Sequence, residues 1–374
     1  MTSTWGEQLT ISLFGESHGP SIGVVIDGLP PGEELNTQEI STFMFRRAPG
    51  RMPWSSQRHE PDTPRILSGI YRERTTGAAL CAIIDNVDPR PQDYDHQTDV
   101  LRPSHADYTG LVRYGGANDP RGGGHFSGRL TAPLCFAGAV CQQILRRHGI
   151  TVAARIRQLG GITDLGMDTA TPEAEQLIAL AGKEFPVLDG EKGQQMIAAM
   201  EQVRREKDSL GGIIQCFGLG LPAGVGDPIF GGVEPRLASI LFGIPGVKAL
   251  SFGDGFAATQ RRGSENNDAF YINKAGQVRT RTNNEGGING GITNGMPMVF
   301  EVGIKPPASI GLPQPSVNIA TLQEETLTLQ GRHDPCIVPR AVVVVEAAAA
   351  IALVDLLLVA FGIQGFSEMG NRHG

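Results

Sequence analysis

The sequence predicts a large mixed fold in which strands and helices form the core and long loops hold ligands. At 374 residues, with 40% hydrophobic and 19% charged residues, the chain can bury a sizeable core as one large domain or two intertwined lobes. Short alternating segments indicate strands, and longer segments with helical spacing of apolar residues indicate helices. Fifty glycines and 25 prolines indicate that loops are numerous.

The first part of the chain is predicted to begin with two strands, at 9–14 and 23–26. Asn36 or Thr37 can cap a helix that has Glu39 in its first turn and ends at Ala48. Further segments follow by the same criteria. Strands are predicted at 66–70, 76–84, 151–159, 211–218, 247–252 and 297–304, and helices at 130–147, 196–203, 235–242 and 341–362.

The predicted helix at 341–362 is nearly long enough to span a bilayer. It contains Glu346 and Asp355, and no second span accompanies it. Charged residues are expensive in a bilayer, so a buried central helix is predicted and no membrane association.

The charge and cysteine patterns exclude several function classes. A net charge of −7 argues against a general nucleic-acid binder. Arginine far outnumbers lysine, which suits bidentate capture of small anions, although a GC-rich genome would produce the same bias. Five scattered cysteines without a CxxC pair predict free thiols in a reducing cytoplasm and no metal site. The N-terminal residues show no signal-peptide pattern.

The stretch 102–133 is the strongest candidate for a ligand-binding loop. It contains His105, His125, a glycine run at 122–124 and four arginines, and a predicted helix follows at once. Glycines allow the backbone to approach a ligand closely, and the free N–H groups of a helix start favour anions. A long surface loop rich in turn residues is the equally weighted alternative.

A second candidate loop is Gly15-Glu16-Ser17-His18-Gly19, between two predicted strands. It is not a GxSxG elbow, which disfavours a serine hydrolase, and a lone loop histidine is more often merely exposed. His18 and His105, with Asp334 before the last helix, are candidate acids and bases. Arginines that could clamp a polyanion are Arg47, Arg51, Arg102, Arg121, Arg129 and Arg332. Without a Walker A, HExxH, EF-hand or kinase motif, the residues alone indicate an enzyme acting on a small polyanion.

The glycine- and asparagine-rich region 253–295 is too long for a turn. Two interpretations stay open at this point. It is a mobile loop that closes over a ligand, or it is a disordered insertion.

Short motifs occur in a fixed order along nearly the whole chain. They occupy 15–19, 46–50, 57–62, 102–108, 122–129, 253–256, 286–295, 305–306 and 331–336. The first reads Gly-Glu-Ser-His-Gly, the fourth Arg-Pro-Ser-His-Ala-Asp-Tyr and the last Gly-Arg-His-Asp-Pro-Cys. Together they resemble the motifs of the chorismate synthase family, and they predict one such domain over 1–374.

The resemblance implies an α+β fold, a β-α-β sandwich with helices packed between antiparallel sheets, in a cytoplasmic homotetramer. It implies 1,4-anti elimination of phosphate from 5-enolpyruvylshikimate 3-phosphate to give chorismate, a carbon–oxygen lyase reaction that ends the shikimate pathway to aromatic amino acids. Such enzymes need reduced FMN without net redox change, because an electron-rich flavin can lend density transiently as the C–O bond breaks. The two carboxylates and the phosphate of the substrate account for the arginines.

Residue roles follow from the resemblance, position by position. His18 would protonate the departing phosphate, with Ser17 beside it. His105 would protonate or hydrogen-bond the reduced flavin, and Asp334 would assist proton removal at flavin N5. Substrate charges would be held by Arg46, Arg47, Arg129 and Arg332. FMN would be lined by His125, Phe126, Ser127, Gly246, Gly290, Lys305, Pro306, Pro307, Ala308, Ser309 and Arg332.

The chain departs from the family pattern at three positions. His125 stands where many members have an arginine, and Ala48 and Pro53 stand where arginines are often found. These departures argue against a built-in NADPH-dependent flavin reductase, so an external source of reduced flavin is predicted, and NADPH only for a bifunctional enzyme.

Two rival functions come from other classes. One is a non-catalytic flavin- or phosphate-binding protein that kept the scaffold, which the joint presence of His18, His105 and Asp334 disfavours. The other is an NADPH-dependent flavoprotein reductase, which NADPH oxidation without a shikimate-type substrate would favour.

Overall fold

A computed structural model describes residues 3–50, 60–87, 99–329 and 334–370. The helices are α1 (Thr37–Arg47), α2 (Asp107–Tyr114), α3 (Thr131–Arg147), α4 (Ala174–Ala181), α5 (Gly190–Arg205), α6 (Val233–Leu241), α7 (Gly263–Asn266) and α8 (Val338–Gly370). Short 3-10 helices cover Arg121–Phe126, Gly128–Leu130 and Gly255–Gln260. The strands are β1 (Thr4–Trp5), β2 (Thr10–Gly15), β3 (Ser21–Asp27), β4 (Arg65–Ser68), β5 (Ile70–Tyr71), β6 (Arg74–Thr75), β7 (Leu80–Asp85), β8 (Thr151–Leu159), β9 (Ile162–Thr163), β10 (Gly212–Leu219), β11 (Val247–Phe252), β12 (Phe270–Ile272), β13 (Val278–Thr280), β14 (Ile288–Asn289), β15 (Ile292–Thr293), β16 (Met298–Ile304), β17 (Gln314–Asn318) and β18 (Gln323–Leu327).

Two five-stranded sheets enclose the central helices. The first has the order β1-β2-β3-β7-β4 and the second the order β11-β16-β10-β8-β9. Every pair of neighbouring strands in both sheets is antiparallel. Helix α3 packs on the first sheet, α8 packs on the second, and the two helices pack against each other. This is the β-α-β sandwich that the resemblance implies.

Helix α8 is the centre of the core. It is long and apolar enough to cross a membrane, but 94% of its most apolar window is buried inside the protein. A Cβ atom at Gly138 of α3 would lie 2.2 Å from the Cβ of Ala347, so the two helices approach each other closely. The prediction of a buried central helix is confirmed, although the helix begins at Val338 and bends at Gly362, where φ is 64°.

The two carboxylates of α8 are both paired inside the protein. Glu346 accepts hydrogen bonds from both terminal nitrogens of Arg46, at 2.6 and 2.9 Å. Asp355 pairs with Arg236 at 2.9 Å and accepts the Leu9 N–H at 2.9 Å. Burying a charge is tolerated when a counter-charge and hydrogen bonds satisfy it, which explains how an apolar core helix carries both acids.

Helix α1 places two arginines beside α3 and α8. Asn36 caps it as predicted, because its side-chain oxygen accepts the N–H groups of Gln38 and Glu39 at 2.9 and 3.2 Å. The helix ends at Arg47, before Ala48 and a proline that disfavours helical backbone in the residue before it.

Three regions differ from the sequence prediction. The stretch 102–133 is not one long loop, because it contains α2. The strand predicted over 76–84 covers only Leu80–Asp85, since the Thr76 hydroxyl accepts the Ala78 N–H in a turn. The region 253–295 is folded into hairpins: the Asp268 carboxylate accepts two backbone N–H groups across it, at 2.8 and 3.0 Å. A disordered insertion does not describe that region.

Candidate active site

The loop between β2 and β3 places Ser17 and His18 against the glycine run. Only 3% of Ser17 and 6% of His18 is exposed. The Ser17 N–H donates to the Gly124 carbonyl at 3.1 Å. A Cβ atom at Gly122 would lie 2.2 Å from Cε1 and 2.4 Å from Nδ1 of His18. Glycine at 122 therefore makes room for the imidazole, and its φ of 58° also favours glycine.

His105 contacts the next residue of the same run. A Cβ atom at Gly123 would lie 3.2 Å from Cε1 and 3.3 Å from Nε2 of His105. The two histidines predicted as acids and bases therefore contact adjacent glycines. The Nδ1 atom of His105 lies 2.6 Å from Asp107 Oδ1.

The Asp107 carboxylate fixes the orientation and the tautomer of His105. Burial alone would raise the pKa of Asp107, but hydrogen bonds from Arg102 and His105 lower it below its ordinary value of 3.8. Asp107 is therefore a carboxylate at neutral pH and accepts the Nδ1–H of His105. In the neutral ring, Nε2 then carries the lone pair, and it is directed towards the glycine run.

Lys305 contacts the segment that carries His105. Its Nζ donates to the Ser104 carbonyl, immediately before His105, at 2.6 Å. Burial lowers the pKa of Lys305 below its ordinary value of 10.5, and neighbouring Lys248 lowers it further. Neither lysine forms an ion pair with a residue in the described ranges. Two neighbouring cations without a carboxylate favour an anionic group such as a phosphate.

We call Ser17, His18, His105, Gly122, Gly123, Lys248 and Lys305 the histidine cleft. The predicted cofactor residues around Lys305 lie at its edge. The Gly246 carbonyl accepts the Lys305 N–H at 2.9 Å, and the Pro307 carbonyl accepts the Ser209 hydroxyl at 2.8 Å. Segment 305–309 is exposed or half-buried, so Pro306, Ala308 and Ser309 are accessible to a ligand.

His125 uses both ring nitrogens within the protein. Nδ1 lies 2.9 Å from the Gly15 carbonyl and Nε2 lies 3.0 Å from the Ser3 hydroxyl. This histidine therefore connects the N-terminal segment to the start of the His18 loop. The geometry gives it a structural role whether or not it also contacts a cofactor.

The other predicted cofactor residues are spread more widely. Phe126 packs against Tyr114 of α2, with ring centroids 6.2 Å apart. The Ser127 hydroxyl accepts the Arg129 N–H at 3.3 Å and so caps the start of the next turn. Gly290 lies in the turn between β14 and β15 with a φ of 62°, and a Cβ atom there would meet nothing within 4 Å.

A second cluster contains the predicted substrate arginines. Asp62 pairs through one oxygen with Arg47 and through the other with Arg129, and all three side chains are buried. Burial would raise the pKa of Asp62, but the two guanidinium groups lower it below its ordinary range. Glu60 pairs with Arg129 at 2.8 Å, and Thr131 accepts the Arg47 Nε–H at 3.2 Å.

The same cluster extends to the start of α8. Arg340 pairs with Asp334 at 2.6 Å and donates through Nε to the Arg47 carbonyl at 3.1 Å. Arg332, predicted to hold both substrate and cofactor, lies outside the described residues. We call the whole cluster the arginine network: Arg46, Arg47, Glu60, Asp62, Arg129, Asp334, Arg340 and Glu346.

Asn86 connects the arginine network to the histidine cleft. Its side-chain oxygen accepts the Arg129 Nε–H at 2.9 Å, and its side-chain nitrogen donates to the carbonyls of Glu16 and Gly19 at 3.2 and 2.8 Å. Sequence reasoning gave Asn86 no role.

Other functional residues were also missed. Asp107 and Asp62 lie inside motifs that were recognised, but a carboxylate beside an arginine in the sequence does not reveal which side chain it orients. Within the described ranges, no group of three or more histidine, cysteine, aspartate or glutamate residues could hold a metal ion.

The chain is similar to known proteins in both sequence and structure. The family model for chorismate synthase matches residues 9–358. Chorismate synthase from Dehalococcoides mccartyi is 45% identical over 96% of this chain and 97% of that protein. The enzyme from Aeropyrum pernix is 44% identical over 94% and 92%. A crystal structure of chorismate synthase superimposes with a TM-score of 0.77, at 27% identity and 98% coverage of both chains.

Proposed function

Because the chain belongs to the chorismate synthase family, we propose that it converts 5-enolpyruvylshikimate 3-phosphate into chorismate by 1,4-anti elimination of phosphate. Members of this family are lyases, and so is this chain. The observation that carries the detailed proposal is the contact of His18 and His105 with adjacent glycines of one run. That arrangement brings two titratable groups to one small cleft, as a reaction that moves protons requires.

His18 would protonate the departing phosphate. Protonation of a leaving oxygen lowers the charge that develops on it, and a group held in one orientation does this best. The packing of the imidazole against Gly122 restricts its orientation, and Ser17 lies beside it. The Ser17 hydroxyl is buried and has no hydrogen-bond partner among the described residues, so it is available to a substrate oxygen.

Reduced FMN is the proposed cofactor, and the chain's residues fit it. The neighbouring cations Lys248 and Lys305 suit its phosphate, and the accessible segment 305–309 with Gly246 can line it. When bound, a reduced flavin supplies electron density to the breaking C–O bond. His105, with its Nε2 lone pair facing the cleft, would hydrogen-bond the cofactor or hold a proton for it. Gly290 and residues 125–127 complete the proposed lining.

Asp334 would help to remove the proton that leaves the substrate. Its carboxylate is fixed by Arg340 at 2.6 Å, and its side chain is 14% exposed. A carboxylate that is oriented and only partly exposed can accept a proton without losing its position.

The carboxylates and the phosphate of the substrate would bind to arginines of the arginine network. In the structure, protein acceptors already occupy donors of Arg47 and Arg129, so substrate would share these cations with Asp62 and Glu60. Arg46 is the most accessible of the described arginines proposed here, with 24% of its side chain exposed. Arg332 completes the proposed set.

The wider biological setting is also proposed. We place the enzyme in the cytoplasm as a homotetramer, acting at the end of the shikimate pathway, without nucleic-acid or membrane partners. The five cysteines, all free in the structure, suit a reducing compartment. An external source of reduced flavin is expected, since His125 is already bonded to Gly15 and Ser3 through both nitrogens.

The decisive experiment is anaerobic turnover of 5-enolpyruvylshikimate 3-phosphate with dithionite-reduced FMN, followed by chorismate absorbance. The wild-type protein should form chorismate, and His18→Ala and His105→Ala should lower kcat by at least about a hundredfold, the range of general acid–base catalysis. His148→Gln, a buried histidine beside Glu33 and outside the cleft, serves as the matched control. Tight FMN binding without product would instead support a binding protein, and turnover with NADPH replacing dithionite would identify a reductase activity.

A further inference from the structure

Asn86 directly follows β7 and forms hydrogen bonds to both ends of the loop that carries His18. Its backbone N–H donates to the Pro20 carbonyl at 3.1 Å. Its side-chain nitrogen donates to the Glu16 and Gly19 carbonyls. Three hydrogen bonds from one residue therefore hold both ends of the segment that carries Ser17 and His18.

The opposite end of the same amide contacts a buried cation. Asn86 Oδ1 accepts the Nε–H of Arg129 at 2.9 Å, and Arg129 is itself held by Asp62 and Glu60. Hydrogen bonds to a charged donor are stronger than those between neutral groups. The amide is the side chain that matches both surroundings, because it offers N–H donors to carbonyls and an oxygen to a guanidinium.

We propose that Asn86 is a positioning residue for His18, which transmits the placement of Arg129 to the loop that carries the acid. Asn86 does not contact the reacting atoms, and it acts through His18 and Arg129. This inference rests on the proposed function. If Asn86 has this role, the two ends of its amide affect different steps. The donor end orients the acid and so affects catalysis, and the acceptor end orients an arginine proposed to bind substrate.

Two substitutions separate these halves. Asn86→Asp keeps an oxygen for Arg129 but replaces the donor by an oxygen that faces two carbonyls. Asn86→Leu keeps the branching at Cγ and removes both contacts. The matched control is Asn273→Asp in the β12–β13 turn, where the side-chain nitrogen donates to Gln277 and the oxygen accepts backbone N–H groups, far from the cleft in the chain.

The expected result is a split between kcat and KM. Asn86→Asp should lower kcat by about tenfold to a hundredfold, the effect of losing hydrogen bonds made by a half-buried side chain, with KM for 5-enolpyruvylshikimate 3-phosphate within about threefold of wild type. Asn86→Leu should lower kcat and raise KM together. Asn273→Asp should leave both constants unchanged. An unchanged kcat in Asn86→Asp, or equal effects on kcat and KM in both Asn86 variants, would overturn the proposal.

A second measurement does not depend on catalysis. Hydrogen exchange of the Ser17 and Gly19 amides, which are bonded to the Gly124 and Glu16 carbonyls, should become faster in Asn86→Asp but not in Asn273→Asp. If the wild-type protein forms no chorismate, the proposed function fails, and this exchange measurement alone decides whether Asn86 holds the loop. Unchanged exchange in Asn86→Asp would show that it does not.

Discussion

The arginine network and the histidine cleft lie side by side, but their cations differ in whether a carboxylate of the protein pairs with them. In the arginine network, each described guanidinium meets a carboxylate of the protein: Glu346 for Arg46, Asp62 for Arg47, and Asp334 for Arg340. In the cleft, Lys305 and Lys248 have no described carboxylate partner.

The difference separates charged groups that are paired within the protein from those that remain available to a ligand. Buried arginines must be paired, so part of the arginine content in this chain serves packing between α1, α3 and α8. Asp107 holds His105 by one nitrogen, which leaves the other free to face a ligand. A count of arginines in the sequence therefore overstates the charge that is available to a substrate.

The largest expected effect concerns the stability of the arginine network. Asp62→Ala removes the carboxylate shared by Arg47 and Arg129. Arg129 keeps Glu60, but leaving buried Arg47 without its carboxylate costs about 3–5 kcal/mol of unfolding free energy. Denaturant unfolding measures the difference. Glu34→Ala, which breaks the exposed pair with Arg74, is the control and should cost at most about 1 kcal/mol. Equal losses in the two variants would mean that the arginine network does not stabilise the fold.

The next effect tests the cleft through a pair of glycines with the same backbone conformation. Gly122 and Gly115 both have a φ of 58°, but a Cβ atom at 122 would meet the His18 ring, whereas at 115 it would meet nothing within 4 Å. Both alanine variants should lose about 1–2 kcal/mol of stability from left-handed backbone. Gly122→Ala alone should also lose about a hundredfold in kcat, because it displaces His18. Similar kcat values would show that the contact does not matter.

Much of the fold could be predicted from local patterns. A few neighbouring residues are enough to predict the Asn36 cap, the alternating strand at Thr151–Leu159 and the apolar run of α8. The packing of the helices between two antiparallel sheets came only from the family resemblance, since strand order depends on contacts distant in the sequence. Helix α2 was missed because glycines and polar residues around it are typical of a loop.

The site was predictable as a set of residues but not as an arrangement. The motifs identified His18 and His105, which contact adjacent glycines, and Lys305, which donates to the residue before His105. They could not show that Asp62 shares its carboxylate between two arginines, or that Asn86 links Arg129 to the His18 loop. These pairings join residues far apart in the chain, and one sequence contains no record of them.

A smaller effect is expected from the carboxylate that orients His105. Asp107→Asn removes the charge that accepts Nδ1–H, and the lost charge-assisted hydrogen bond should lower kcat by roughly tenfold. Steady-state kinetics at neutral pH measures it. Asp168→Asn, which alters a carboxylate that accepts the Ala170 N–H at 2.9 Å outside the cleft, is the control and should leave kcat unchanged.

The pH dependence of the unfolding free energy also tests the Asp107 carboxylate. The pKa of Asp107 is lower in the folded protein than its ordinary value of 3.8, so its stabilisation is present above that pH and is lost as the pH falls below it. The stability of Asp107→Asn should therefore decline less than that of the wild type as the pH falls below 3.8. Parallel pH profiles in denaturant unfolding would contradict the assignment of a charged Asp107.

The smallest expected effect compares a cation of the cleft with an exposed lysine in another part of the chain. Lys248 lies beside Lys305, and removing it should weaken reduced-FMN binding about threefold to tenfold, because an exposed charge contributes roughly 1 kcal/mol. Lys274→Ala, at an exposed turn of the β12–β13 hairpin, is the control and should leave the affinity unchanged. Fluorescence titration at two ionic strengths measures the affinity for reduced FMN in both variants.

The loss of affinity in Lys248→Ala should shrink at high salt, where the Debye length falls to about 3 Å at 1 M. A salt-independent loss would mean that Lys248 supports the local structure and does not attract the phosphate.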